Sequence, residues 1–485
     1  MLLSSLDQSR ETAMRISRSP LRTVLVAVLT LMLMPSVTVA AAPTGDDLDW
    51  EAIGDEAVAL LQQYLRIDTT NPPGNEIAAA EFFAELLDAE GIESEVFESE
   101  PGRGNIVARL RGDGSRGGHV VLLNHMDVVP VSAEFWSVDP YGAEIVDGRM
   151  YGRGITDMKA DGVVQLLALL ALRRAGVELG RDVVFMGTAA EETGGVEGAG
   201  YIVENRPDLL EDVQFVLTEG GGGASLGNAE VHGIEVTQKT PLWLRLVARG
   251  PAGHGSRALE DSAANRLVRA LDRIRTYRPP LQLVPAVANS IKASAQLEPD
   301  PDLRRAKRRI EENFSDPDVL GALSDQMGTL LRSTIAITMI EGSTKTNVIS
   351  PRATAELDCR LLPGTDADLF IATLRDVIDD PDIEIETILR FETSESPRDT
   401  ALWRAIEQAV RADSPEAIVM PSVLSGFTDS HYFREKGIVA YGWTPILSAP
   451  GDGPAHGVDE RLSVEAIRKA PQRLYEVLEL LAARR

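Results

Sequence analysis

Cysteine is almost absent from this chain, since Cys359 is the only one among 485 residues. A single cysteine excludes an intramolecular disulfide framework and any cysteine-rich zinc module. Long apolar runs are also absent beyond the first 41 residues, and none of the later segments is long enough to cross ~30 Å of hydrocarbon. The sequence therefore predicts no stable membrane insertion once the N-terminal segment is removed.

Basic residues are outnumbered, with 48 lysines and arginines against 74 acidic residues and a net charge of −26. This charge repels nucleic-acid phosphates and anionic membrane surfaces, so we expect neither as a partner. It suits solubility or a group of cation-binding carboxylates. The hydrophobic fraction of 44% argues against global disorder. Because one core rarely grows past ~250–300 residues, the length predicts at least two structural units.

Residues 1–41 have the order of a signal peptide. Basic residues at Arg15, Arg18 and Arg22 precede an apolar run over Val24–Met34, and small residues follow. We therefore expect cleavage near Ala40-Ala41 and export to the periplasm or the medium. An uncleaved membrane anchor is the alternative interpretation, and translation from the internal methionine at position 14 is a second start to consider.

Buried strands and helices alternate in the first half of the mature chain. Short apolar runs predict strands at Asn105–Leu110, Val120–Asn124, Val183–Ala190 and Phe215–Thr218. A helix over Gly162–Arg174 separates the second from the third. This order is typical of an α/β domain with a mixed, mostly parallel sheet flanked by helices.

The pattern changes near residue 240, where apolar and polar residues alternate. Strands are predicted at Leu242–Arg249, Ser333–Ile340 and Ala353–Leu361, with helices at Asn265–Thr276 and Ala367–Ile378. Alternating strands with helices to one side predict a small antiparallel α+β unit of ferredoxin-like type, inserted into the larger domain.

These patterns divide the chain into segments. The larger domain comprises residues 48–239 and 394–485, and the inserted unit comprises residues 240–393. Residues 279–330 have no clear periodicity, and we interpret them as an elaboration of the inserted unit. Ser463 is predicted to cap a last helix over Val464–Ala482.

Chemically active side chains follow three of the predicted strands. His125 and Asp127 follow the second strand, Glu191-Glu192 follow the third, and Glu219 follows the fourth. In open α/β sheets the ligand crevice lies beyond the carboxyl ends of the strands. We therefore expect these side chains to meet at one edge of the sheet.

Asp157 adds a further carboxylate just before the Gly162 helix. Taken alone, each element has an ordinary structural explanation, such as a helix cap or a solvated loop. Several unpaired carboxylates in one crevice would repel each other unless a cation neutralised them. Imidazole and carboxylate ligands without sulfur suit zinc, cobalt or manganese.

These motifs together resemble one known family. His125-x-Asp127, Gly-Arg-Gly-x-x-Asp157, Glu191-Glu192, Glu219 and Ala-His456-Gly-x-Asp-Glu are similar to the motifs of M20 metallopeptidases and amidohydrolases. The resemblance extends from about residue 50 to the C-terminus. Further segments resemble the aminoacylase-1 and carboxypeptidase S branch, namely Asn124–Pro130, Trp136, Asp139-Pro140 and Thr428–Ser430.

The resemblance implies a site for two divalent metal ions, normally zinc, with cobalt or manganese as alternatives. Asp157 would bridge both ions. His125 and Glu219 would complete one site, and Glu192 and His456 the other.

The resemblance also implies roles for residues that do not hold metal. Glu191 would act as the general base, and Asp127 would orient the metal-binding His125. In the inserted unit, His254 would donate to the oxyanion, while Asn347 and Arg360 would contact substrate.

The activity implied is hydrolysis of an amide bond beside a free carboxylate. N-acyl amino acids are the expected substrates, and short peptides are the alternative. In relatives the histidine that corresponds to His254 often reaches the active site of a partner subunit, which implies a homodimer formed through the inserted unit, or lid. Compact family members do not have the long segment 279–330. This segment would either reshape the lid or block the pairing of two lids, which puts the homodimer in question.

Two other functions fit parts of the sequence. Gly223-Ala-Ser225-Leu-Gly227 matches the G-x-S-x-G motif of serine hydrolases, with Asp429 and His456 downstream. That motif requires a helix immediately afterwards, and the sequence instead predicts a turn and a strand-like run. A non-catalytic binding protein with the same fold is the second alternative.

Overall fold

The computed structural model describes residues 48–226 and 229–484. The predicted signal peptide lies outside these residues. Within them, none of the helices is both long and apolar enough to span a bilayer.

The helices are α1 (Trp50–Leu65), α2 (Glu76–Ala89), α3 (Ala160–Arg174), α4 (Tyr201–Asn205), α5 (Pro207–Leu210), α6 (Ala263–Thr276), α7 (Pro285–Ser294), α8 (Pro301–Arg308), α9 (Ile310–Asn313), α10 (Pro317–Met327), α11 (Ala367–Ile378), α12 (Ala401–Asp413), α13 (Ser430–Glu435) and α14 (Val464–Ala482).

The strands are β1 (Ser94–Glu98), β2 (Gly104–Leu110), β3 (His119–His125), β4 (Ile145–Val146), β5 (Arg149–Tyr151), β6 (Val183–Thr188), β7 (Val213–Thr218), β8 (Gly222–Leu226), β9 (Ala229–Gln238), β10 (Thr240–Arg249), β11 (Gly253–His254), β12 (Thr334–Glu341), β13 (Val348–Ile349), β14 (Arg352–Leu361), β15 (Ile383–Arg390), β16 (Ile418–Leu424), β17 (Val439–Gly442), β18 (Leu447–Ser448) and β19 (Arg461–Ser463).

The larger sheet has the order β1-β2-β6-β3-β7-β17-β9-β8-β18, and β16 also pairs with β9. Its centre, β6-β3-β7-β17, is parallel. Antiparallel pairs flank this centre at β1-β2-β6 and at β17-β9-β8. The predicted α/β class with a mixed sheet is confirmed.

The central strands are apolar throughout because both faces of the sheet are covered. In β3, Val120 and Leu122 join the core beneath α1, α2, α3 and α14, whereas Val121 and Leu123 face the opposite core beneath α4 and α13. Helix α3 is buried over almost its whole length, as expected for a helix that is apolar on all sides.

A second sheet has the order β12-β14-β10-β15 and is antiparallel throughout. Helices α6 and α11 cover one face, and their apolar residues form a core separate from that of the larger sheet. In α6 the buried residues Leu267, Ala270, Leu271 and Ile274 follow helical spacing.

Residues 279–330, which showed no clear periodicity, form the four short helices α7–α10. Asp300 and Asp316 cap α8 and α10 with their carboxylates, and each is followed by a proline at the first helical position. Helix α7 packs against β16 of the larger sheet, where Val423 joins its apolar cluster. The segment therefore packs against the larger sheet, and its interpretation as an elaboration of the inserted unit stays a prediction.

The last helix has the predicted bounds, Val464–Ala482, and Ser463 occupies the N-cap position. Its side chain makes no capping hydrogen bond. The capping role predicted for this hydroxyl is therefore wrong, although the position of the helix start is correct.

Candidate metal centre

Three neighbouring parallel strands deliver side chains to one edge of the larger sheet. β3 ends at His125, β6 ends at Thr188 shortly before Glu191, and β7 ends at Thr218 immediately before Glu219. His125 and Thr188 are paired in register. The carboxyl ends of these strands therefore form one crevice, as the sequence predicts.

Two histidines lie on either side of the Asp157 carboxylate. His125 Nε2 is 2.9 Å from Asp157 Oδ1 and 3.5 Å from Glu219 Oε1. His456 Nε2 is 3.1 Å from Asp157 Oδ2 and 3.1 Å from Glu192 Oε1. The five predicted ligands thus form two sets of three that share Asp157, one oxygen facing each histidine.

These separations fit metal coordination. Ligand atoms around a tetrahedral zinc ion with bonds of about 2.0–2.1 Å lie roughly 3.3 Å from one another. Ligand atoms of His125, Asp157 and Glu192 lie within 4.8 Å of one another, and so do those of His125, Glu191 and Glu219. These two groups differ from the predicted sets, since the first combines ligands of both ions and the second includes Glu191, so the division of ligands between two ions stays a prediction. Three protein ligands per ion leave a coordination position open, as catalytic zinc sites require.

The pKa shifts in this cluster indicate more negative than positive charge. Burial raises the pKa of Glu219 to about 8 and raises that of Glu191 well above its usual value. Hydrogen bonds with Asp157 and Glu192 raise the pKa of His456 to about 10. In the absence of metal, protons on these groups therefore offset part of the negative charge, while the two histidines lower the pKa of Asp157 and keep it ionised.

Charge counting reaches the same conclusion. Asp157, Glu191, Glu192 and Glu219 carry four negative charges when ionised, which two divalent cations would balance. The donor set contains nitrogen and oxygen without sulfur, which suits zinc, cobalt or manganese. The residues present fit a pair of divalent ions.

Asp127 holds the segment that carries the two glutamates. Its carboxylate accepts hydrogen bonds from the backbone N–H groups of Glu191 and Glu192, at 3.0 and 3.1 Å. Its carboxylate Oδ1 lies 3.4 Å from His125 Nδ1, and its backbone carbonyl oxygen lies 3.1 Å from the same nitrogen. Asp127 thus faces His125 as predicted, and it also positions both glutamates.

Glu191 lies in the crevice with a buried and unpaired carboxylate oxygen. The residue is 5% exposed, and its Oε1 has no hydrogen-bond partner. The strand ends two residues earlier than predicted, and Ala190 adopts a φ of 62°, which starts a tight turn over Glu191–Thr193. This turn directs Glu192 towards His456 while Glu191 stays free.

Sequence reasoning missed the residues that support this turn. Asn71 Nδ2 donates to Asp127 Oδ2 at 2.8 Å and to Thr193 Oγ1 at 3.0 Å. Arg103 donates to Asn71 Oδ1 at 2.8 Å and pairs with the buried Glu76 at 2.6 Å. The Asn-Pro-Pro-Gly sequence at residues 71–74 predicts a turn, and nothing local indicates the distant partners.

The serine-hydrolase alternative finds no support. Ser225 is exposed on β8, which pairs antiparallel with the next strand, β9, so the helix that a nucleophile elbow requires is missing from the described residues. Asp429 is buried and accepts a hydrogen bond from Thr188 Oγ1 at 3.0 Å. His456 contacts Asp157 and Glu192, as described above.

The predicted lid residues lie in two places. His254 and Asn347 are exposed and adjacent on the β11–β13 ribbon, where Gly255 N donates to Asn347 O at 2.8 Å. Within the described parts of the chain, neither side chain bonds to the metal-centre residues. The role of His254 towards the oxyanion and across a dimer therefore stays a prediction.

Arg360 is partly buried and paired with a near neighbour. Its Nε lies 2.7 Å from Asp358 Oδ1, and its guanidinium lies 5.0 Å from the centre of the Phe427 ring. Its Nη1 is buried without a hydrogen-bond partner. Asp358 thus accepts hydrogen bonds from Nε and Nη2, and the two N–H groups of Nη1 stay without a partner.

The fold and the site together define a metal-dependent hydrolase. The chain belongs to Peptidase family M20/M25/M40, whose family model matches residues 121–480. This result confirms the resemblance that the sequence motifs indicate.

Individual relatives agree with this placement. Aminoacylase-1 of Sus scrofa is 27% identical over 432 residues, which cover 88% of this chain and 95% of that protein. The N-fatty-acyl-amino acid synthase/hydrolase PM20D1 of Xenopus tropicalis is 27% identical over 357 residues, 72% of this chain and 69% of that protein.

Solved structures share the fold. The M20 family metallo-carboxypeptidase Sso-CP2 of Sulfolobus solfataricus matches with a TM-score of 0.68 at 21% identity, covering 88% of this chain and 99% of that one. Human carnosine dipeptidase 1 matches with a TM-score of 0.66 at 18% identity, covering 89% and 98%. At these identities the likeness establishes the fold alone.

Metal affinity is expected to rise with pH between about 6 and 8. In the ion-free protein at pH 7, Glu219 and His456 carry protons, because their pKa values are raised to about 8 and about 10. Metal binding must displace those protons. Calorimetry in two buffers of different ionisation enthalpy would measure the proton release. Equal affinity at both pH values, without proton release, would contradict the assignment of these ligands.

Proposed function

We propose that this protein hydrolyses the amide bond of N-acyl amino acids, with short peptides as the alternative substrates. The observation that carries the proposal is the arrangement of two histidines around Asp157, beside the unpaired carboxylate of Glu191. Similarity to aminoacylase-1 over 88% of the chain supports the acyl substrates.

Zinc is the ion that we propose for both positions, with cobalt or manganese as alternatives. His125 and Glu219 would hold one ion, His456 and Glu192 the other, and Asp157 both. When bound, the ions supply Lewis-acid polarisation of the amide carbonyl and lower the pKa of a coordinated water.

Glu191 provides the proton transfers. Its carboxylate would accept a proton from the attacking water as the C–O bond forms, and would deliver it to the amine nitrogen as the C–N bond breaks. The products are a carboxylic acid and a free amine. Asp127 keeps the base in place by holding the backbone N–H groups of Glu191 and Glu192.

Arg360 would bind the free carboxylate beside the scissile amide. Its buried Nη1 lacks a partner, and the guanidinium lies against Phe427. A substrate carboxylate would accept a hydrogen bond from this Nη1 group. A buried donor without a partner costs free energy, so this hydrogen bond would favour binding. This proposed contact is the reason why we expect substrates to need a free carboxylate.

We also propose that the protein acts outside the cytoplasm. The proposal rests on the basic, apolar and small-residue order of residues 1–41, which lie outside the described part of the structure. Sequencing the N-terminus of the exported protein should give a start near Ala41. An intact N-terminus at Met1 or Met14 would contradict cleavage.

Glu191→Gln is expected to lower the rate by about 10²-fold or more, since an amide cannot accept the proton. The variant should still bind metal because Glu191 is not among the five proposed ligands. Turnover assays and metal analysis measure the two effects separately. Glu204→Gln, an exposed glutamate on α4, is the matched control. Activity retained by Glu191→Gln would refute the role of this base.

A hydrolysis panel on the mature, zinc-loaded protein tests the substrate class. It pairs N-acetyl and long-chain N-acyl amino acids with dipeptides that have the same C-terminal residue. We expect faster cleavage of the acyl series, and loss of the rate on chelation. Acyl amino acid amides, which lack the carboxylate, should be poor substrates because Arg360 has nothing to pair.

Each outcome of the panel has a distinct meaning. Faster dipeptide cleavage would assign the protein to the peptidases with the same metal centre and the same base. Chelator-insensitive turnover would refute the metal-dependent reaction. Absence of any turnover would leave a metal-binding protein and contradict the proposed activity.

A further inference from the structure

A buried glutamate connects the two distant segments that carry Asp157 and His456. Glu460 is fully buried, and Arg153 is 4% exposed. Arg153 Nη1 and Gly154 N donate to Glu460 Oε2 at 2.6 and 3.0 Å. Thr156 donates to Oε1 through its backbone N–H, at 2.8 Å, and through its hydroxyl. Four donors therefore saturate one carboxylate.

The same ion pair reaches the segment that carries His456. Arg153 Nη2 donates to the backbone carbonyl oxygen of Gly457 at 3.1 Å. The donors at residues 153–156 come directly before Asp157, and Glu460 and Gly457 follow His456. One buried ion pair thus holds both segments, although the chain separates Arg153 from Glu460 by 307 positions.

His456 depends on such support. Its side chain is 50% exposed, and it adopts a φ of 60°, in the left-handed region that residues other than glycine seldom occupy. By contrast, His125 is the last residue of β3 and its side chain is 1% exposed. Packing within the sheet fixes His125, while the His456 backbone is fixed by loop contacts.

We propose that Glu460, with Arg153, is a positioning residue for the ion held by Asp157, Glu192 and His456. The inference rests on the two-ion site proposed above. Outer partners of metal ligands typically contribute 10–100-fold in affinity. Asp157 holds both ions, whereas His456 holds only one, and Glu460 has no contact with His125 or Glu219 in the described part of the chain. Its effect should therefore be larger on the ion held by Glu192 and His456.

Glu460→Gln tests this assignment, since it preserves shape and removes the charge. Calorimetric titration of the metal-free protein with Zn²⁺ against a competing chelator gives the affinity of each ion. We expect one ion to bind about 10–100-fold more weakly and the other, which shares only Asp157 with it, to be weakened much less.

The control is another buried ion pair far from the metal centre. Glu298 and Lys307, 2.8 Å apart with side chains 7% and 5% exposed, lie in the helical segment of residues 279–330. Glu298→Gln should lower thermal stability, as Glu460→Gln also should, because each leaves a buried cation unpaired. It should leave both zinc affinities unchanged, which separates positioning from general destabilisation.

Thr156→Val covers the case in which Glu460→Gln does not fold. It removes one hydroxyl donor to Glu460 without leaving a charge unpaired, and it should weaken mainly the same ion, to a smaller extent. Wild-type affinity for both ions in a folded Glu460→Gln variant, or in Thr156→Val if the former fails to fold, would overturn the proposal. Equal weakening of both ions would overturn it too.

The titration also separates this inference from the proposed reaction. Wild-type protein that binds fewer than two zinc ions would refute the two-ion site and the positioning role together. If wild type binds two ions but hydrolyses no amide, the reaction is refuted, and the selective loss of one ion in Glu460→Gln still establishes the positioning role.

Discussion

Mutual repulsion among four carboxylates in one buried crevice is the constraint on which this structure depends. Asp157, Glu191, Glu192 and Glu219 meet where three parallel strands end. Burial disfavours the ionised forms of the three glutamates, which is why the pKa of Glu219 rises to about 8, while hydrogen bonds from both histidines keep the pKa of Asp157 below its usual value. A pair of divalent cations, as proposed, would remove the repulsion, and Asp157 presents one oxygen to each histidine. The chemistry of the site follows from meeting this electrostatic requirement.

The surrounding framework holds these charges without neutralising them. Asp127 directs its oxygens at backbone N–H groups, so it fixes the turn of the two glutamates instead of competing for metal. Asn71 donates to the same carboxylate. Glu460 and Arg153 form a matched ion pair next to the cluster. The buried carboxylates of Asp127 and Glu460 are thus paired with donors, which is the condition under which burial is tolerated, whereas Glu191 keeps an oxygen without a partner.

Most of the candidate site could be predicted, because its residues follow predicted strands or belong to family motifs. His125 and Glu219 sit at strand ends, and sheet topology requires neighbouring parallel ends to meet. The contacts of Asn71 and Glu460 could not be predicted, since their partners lie 56 and 307 positions away. The helices of residues 279–330 are too short to show a clear apolar period, so they were not predicted. Asp-Pro-Asp at residues 300–302 and 316–318 is nevertheless a local signal for the start of a helix.

The sequence by itself determined the class of fold, the identity of the metal-binding residue types and the strands that deliver most of them. The periodicity of apolar residues and the type of residue that follows each strand are local properties, so both can be recognised in a single amino-acid sequence. Only the tertiary structure decided that Asp127 holds the turn of the two glutamates, that Glu191 keeps an unpaired oxygen, and that Arg360 pairs with Asp358. These features depend on how loops from remote segments fold back, and hydrogen bonds between remote segments have no local signature.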